Sequence, residues 1–178
     1  MADDRHAVVV WIAEGTWPAC VDAARAHTPA DAETVLLHVT SVDVPGAAHG
    51  AFAGLMGRGH PSGNRPAEGW GRDPGTHMEH LAADSARQLL QDAADRLGRP
   101  CTRTERTGRV ECEVVAAAEG CDLLILARDG DRAHLGPHSL GPAPRFVVDH
   151  APCPVLLVWL EPPPGPPTSP PPLPRRTG

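Results

Sequence analysis

Residues 121–159, CDLLILARDGDRAHLGPHSLGPAPRFVVDHAPCPVLLVW, decide the fold. The apolar run Leu123-Leu124-Ile125-Leu126-Ala127 stops at Arg128-Asp129-Gly130. A loop rich in Gly, His and Arg leads to Gly141, and a short helical stretch, Ala143 to Asp149, follows. His150-Ala151-Pro152-Cys153-Pro154 then breaks the helix and releases a second apolar run, Val155 to Leu160. Short runs that are apolar throughout and bounded by breakers suit strands buried on both faces of a parallel sheet. Strand, glycine loop and helix start, in that order, bring free backbone N–H groups together and make a candidate anion site.

The rest of the chain supplies matching units. Ala7 to Ala13 reads as a central strand, ended by Glu14-Gly15-Thr16, where Thr16 can cap a helix with Pro18 in its first turn. That helix, about Trp17 to His27, turns Cys20, Val21 and Ala24 to one side, and Glu33 to Val39 reads as the second strand. Thr76 to Leu97 is a long helix with Met78, Ala82, Ala86, Leu89, Ala93 and Leu97 on one face, stopped by Gly98 and Pro100. Cys101 to Thr107, polar and charged, reads as an edge strand. A helix over Val110 to Glu119, with Val114, Ala117 and Ala118 inward, leads into the opening stretch. Five strands alternating with helices predict an α/β fold with a parallel sheet and helices on both faces.

Two segments stand apart. Ser41 to Thr76 holds nine of the eighteen glycines and four prolines, too little apolar surface to offset the entropy of ordering it. A flexible Gly/Pro/His-rich insertion is expected there, either an ordinary loop or a lid over the crevice. Glu161 to Gly178 has nine prolines in eighteen residues and is expected to be a disordered tail. One domain is thus expected over residues 5–160.

Composition removes several function classes. The net charge is −6 and all sixteen cations are arginine. An acidic balance argues against a nucleic-acid partner, and a chain without lysine has no Walker-type phosphate loop. The start, Met1-Ala2-Asp3-Asp4-Arg5-His6, lacks a signal-peptide layout, and no apolar run approaches membrane-spanning length. A cytoplasmic location is the expectation. Five cysteines with no CxxC pair fit reduced core residues better than disulfides or zinc ligands.

The final stretch resembles the universal stress protein family, whose ending runs from an apolar strand through a glycine loop and a helix to H-A-P-C-P-V. Asp122 to Ile125 and His150 to Val158 carry that resemblance. It implies the sheet order 3-2-1-4-5, an adenine-nucleotide crevice where that order reverses, and a homodimer formed through the last strand, Val155 to Leu160. It implies a non-enzymatic regulatory or stress-response role, with a regulatory protein as a further partner. Its nucleotide contacts fall on Ala13 and Glu14 at the end of strand one and Val39 at the end of strand two. The others fall on Ala127, Arg128, Gly130, Gly141, Pro142 and Ala143. The acid of the first turn meets the ribose and adenine end of ATP in the family; Glu14 stands there with a longer side chain, as a contact or as a solvated carboxylate.

The phosphate motif departs from its pattern. ATP-binding members keep G-x2-G-x9-G-(S/T); this chain reads Ala127-x2-Gly130-x10-Gly141-Pro142. Pro142 and Pro144 remove two N–H donors from the helix start. Each donor lost to a phosphate forfeits roughly 1.5–3 kcal/mol, which predicts weak or lost ATP binding. Arg128, Arg132, His134 and His138 offer a different grip on phosphate, or are simply solvated. Alternatives are an ATP-hydrolysing relative and a histidine metal module built on His77/His80 or His134/His138. No nucleophile elbow, PP-loop turn or HIGH-type motif is present, and the usual third metal ligand has no marker. No metal is expected.

Overall fold

The computed structural model describes residues 6–41, 74–130 and 139–160, with the backbone alone for 74–79. The expected insertion lies mostly outside the described residues; so do the loop residues 131–138 and the proline-rich tail.

The sheet grows outward from β1 (Ala7–Trp11), a run of branched and aromatic side chains that suits a pleated, fully covered position. β1 pairs in parallel with β2 (Glu33–Ser41), Ala7 opposite Glu33 and Trp11 opposite Leu37. On its other side it pairs with β4 (Leu123–Ala127), Val8 opposite Leu123 and Val10 opposite Ile125. β3 (Thr102–Gly108) joins β2, and β5 (Val155–Val158) joins β4, both parallel. The order is β3-β2-β1-β4-β5, as the resemblance implied.

Alternation along these strands divides the core into two layers, because successive side chains leave opposite faces. Val8, Val10, Ile12, Leu36 and Ile125 meet Cys20, Val21 and Ala24 of α1 (Trp17–His27) and Leu90, Ala93 and Leu97 of α2 (Pro74–Leu97). Val9, Trp11, Leu37, Val39, Leu124 and Leu126 meet Val114 of α3 (Val110–Ala117) and Val147 of α4 (Pro142–His150). Each large aliphatic side chain fully buried in these layers stabilises the fold by roughly 1.5–3 kcal/mol.

Three local expectations shift. Ala82 is exposed and Leu90 is buried, so the inward face of α2 is Ala86, Leu90, Ala93 and Leu97. At 24 residues α2 is about 36 Å long, more than the sheet can cover, and Leu81 and Ala82 stand clear of it. Thr16 occupies the N-cap position of α1 without capping it; its hydroxyl donates to the Ala13 carbonyl at 3.2 Å. β5 ends at Val158, leaving Trp159 and Leu160 beyond the strand.

Candidate functional site

β1 and β4 lie side by side, yet the chain leaves β1 for α1 on one face and β4 for α4 on the other. At such a divergence the usual ligand position of these sheets is the crevice outside the carboxyl ends of the two strands. The candidate residues gather around it from both sides.

On the β1 side the chain turns sharply at Ala13 to Thr16. Gly15 has φ +73°, a left-handed conformation that a side chain would strain. The Ala13 carbonyl accepts from the amides of Thr16 at 3.2 Å and Trp17 at 3.0 Å. That carbonyl is therefore absorbed by the turn, while Glu14 projects into solvent. Val39 is buried against the α3/α4 layer. His38, which carried no sequence signal, donates from Nδ1 to the Ile12 carbonyl at 2.9 Å and ties the end of β2 to that of β1. Accepting carbonyl and ring geometry together require the Nδ1-protonated form.

On the β4 side, Ala127 is buried as the last strand residue. Arg128 brings a cationic side chain whose guanidinium is partly engaged, its buried Nε having no hydrogen-bond partner among the described residues. Its Nη1 donates to the Ser139 hydroxyl and its planar head lies 4.7 Å over the Trp159 ring. Its backbone N–H donates to the Val158 carbonyl at 2.9 Å, continuing the β4–β5 ladder by one residue. Gly130 donates to the Ser139 carbonyl at 3.2 Å and closes the base of the loop. Ser139 is 1% exposed, so this closure is internal.

The start of α4 is the point where an anion would dock. Gly141 is the N-cap, and Pro142 and Pro144 take the first and third helical positions. Of those first three helical residues only Ala143 carries an N–H, since proline has none. The Gly141 N–H donates to Asp129 Oδ1 at 2.7 Å. A Cβ on Gly141 would stand 2.6 Å from that same oxygen, so only glycine admits the carboxylate without displacing it. Sequence reading passed over Asp129 because it falls in a variable position of the loop motif.

Two depressions lie on the surface, the second reaching the head of α4 at Leu140 and Pro142. One of about 630 Å3 runs between α2 and β3 and is lined by Arg87, Gln91, Arg103 and Glu105 among others. Its cations are partnered internally, Arg87 with Asp84 and Arg103 with Gln91. The other, about 500 Å3, lies along α4 beside Phe146 and His150. Among the described residues no group of three His, Cys, Asp or Glu could hold a metal ion. No helix among them is long and apolar enough to cross a membrane. Burial pushes the Cys20 thiol up to about 12, which leaves it unreactive.

A five-stranded parallel sheet of this order, with its crevice between β1 and β4, defines a doubly wound α/β protein. Within that class the chain belongs to the universal stress protein family, whose model matches residues 7–158. A search of curated protein sequences finds no match. Among solved structures it is similar to a universal stress protein in complex with cAMP, at 15% identity and TM-score 0.54, over 88% of this chain and 98% of that one. It is similar to the universal stress protein UspA from Lactobacillus plantarum, at 18% identity and TM-score 0.52, over 86% and 97%. A family member from Arabidopsis thaliana with AMP bound matches at 17% identity and TM-score 0.51, over 86% and 91%. Likeness at these identities concerns the fold.

Proposed function

We propose that this chain is a non-catalytic regulatory module of the stress response, located in the cytoplasm. Its crevice takes the adenine end of a nucleotide and holds the phosphates weakly. The observation that carries this reading is the start of α4, where Pro142 and Pro144 leave one N–H among the first three helical residues. The fold supports an adenine ligand, since similar structures were solved with cAMP and with AMP. The engaged guanidinium of Arg128 supports weak phosphate binding, because moving it onto a phosphate breaks contacts to Ser139 and Trp159. The module acts as a homodimer joined through Val155 to Leu160 and passes its state to a regulatory protein partner.

Titration calorimetry of the full chain with ATP tests this. Binding weaker than micromolar is expected for the parent protein, and Pro142→Ser, which restores a donor and adds a hydroxyl, should tighten it about tenfold or more, the value of one charged hydrogen bond. Sub-micromolar ATP binding by the parent, or release of inorganic phosphate from ATP, would sink the reading.

A further inference from the structure

We infer that Asp129, although exposed, is an anion supplied by the chain itself: its carboxylate occupies, at the head of α4, the place a nucleotide phosphate would take, and so turns the crevice against polyphosphate ligands. The inference rests on the proposed adenine-nucleotide reading for its ligand class, but the contact itself is structural. A helix N-terminus attracts one negative group through its free N–H donors and its dipole. Here the chain supplies that group from twelve residues upstream, Oδ1 standing 2.7 Å from the Gly141 nitrogen. Glycine at 141 normally lets a ligand approach the backbone closely; in this protein the same missing Cβ makes room for Asp129, whose two carboxylate oxygens would lie 2.6 and 2.9 Å from a methyl there.

The neighbouring groups reinforce the exclusion. Pro142 and Pro144 offer no donors beside the occupied one. Of the cations at the helix head, Arg145 donates to the Leu140 carbonyl at 3.4 Å and Arg128 is drawn to Ser139 and Trp159, with no hydrogen bond among the described residues joining Arg128 to Asp129. A phosphate chain entering at Gly141 would meet a like charge at contact distance and would have to expel it from its amide. A ligand without a phosphate chain meets no such barrier. Asp129 is thus a specificity determinant that favours adenosine-like over ATP-like ligands.

The test uses the full chain, its Asp129→Asn variant, which removes the charge and keeps an oxygen for the Gly141 N–H, and Asp129→Ala, which removes both. Circular dichroism first establishes that each is folded; the asparagine variant preserves the cap if alanine loosens the helix. Inorganic triphosphate, which carries no adenine, is the first probe. The parent should show no saturable rise in melting temperature with it, and at least one folded variant should gain one. With nucleosides, the ratio of ATP to adenosine affinity should rise about tenfold in the variants, about 1.4 kcal/mol, with adenosine affinity unchanged. Folded variants that ignore triphosphate and keep the parental ratio overturn the inference, as does a parent that binds triphosphate saturably. Loss of all adenosine binding throughout the series, with triphosphate gained on substitution, would reject the adenine reading and leave the role of Asp129 standing.

Discussion

Arg99 shows how one side chain closes the end of the sheet opposite the crevice. It leaves the end of α2 and reaches the turn after α1, where Nη1 donates to the Pro29 carbonyl at 2.8 Å and the Thr28 carbonyl at 3.4 Å. Its Nη2 donates to the hydroxyls of Thr28 and of Thr34, a β2 residue that is 1% exposed. A planar fork reaches these partners together; an ammonium does not. Arg99→Ala should lower stability by about 2 kcal/mol, since bonds to a charged donor are worth ~1.5–3 kcal/mol each and water recovers part of the loss. Arg99→Lys should recover less than half. Urea unfolding of the three proteins checks this, and a lysine variant as stable as the parent would show that charge alone suffices.

At the scale of elements, α1 and α2 share a face of the sheet and are bolted together by Asp22 and Arg96. The guanidinium donates from Nε to Oδ1 at 2.8 Å and from Nη2 to Oδ2 at 2.6 Å. Hydrogen bonding to Arg96 holds the Asp22 carboxyl below its ordinary value. A depressed carboxylate contributes stability above its unfolded value, near pH 4, and loses it as pH falls through the lower folded value. Both groups are well exposed, so the contribution is small and screened by salt. Asp22→Asn should therefore melt slightly below the parent at neutral pH, with the gap closing at acidic pH as the carboxylate is protonated and shrinking in molar salt. An equal gap at both pH values would assign the effect to packing.

The whole molecule ends in two unlike edges. β3 carries Arg103, Glu105 and Arg106, charges that discourage pairing with another chain. β5 carries Val155, Leu156, Leu157 and Val158, all half-buried under helices on both faces, while its outer backbone has no strand partner among the described residues. An uncharged apolar edge favours a symmetric partner, each copy closing the other about a two-fold axis. Light scattering at tens of micromolar should give twice the chain mass. Leu157→Arg should return it to a monomer that circular dichroism finds folded. A monomeric parent, or a dimer that survives the arginine, would place the interface elsewhere.

The strands and their layering were legible in the chain because burial on both faces writes itself locally, as in Val8 to Trp11 and Leu123 to Ala127, whereas the order of the strands came from the family resemblance. The prolines at the head of α4 were equally plain, since a missing N–H is a property of the residue itself. The inward register of α2 was only partly legible: spacing placed Ala82 inward, but the sheet does not extend far enough to cover it. The contacts that shape the site had no local signature. Asp129 meets Gly141 across twelve positions and Arg128, just past β4, meets Trp159, just past β5, pairings that depend on how β4, β5 and α4 are brought together. Hydrophobic pattern determined which elements exist and how they stack. The use of each polar group was decided only by tertiary structure, because hydrogen bonds and charges act over a few ångströms of space, whatever the distance along the chain.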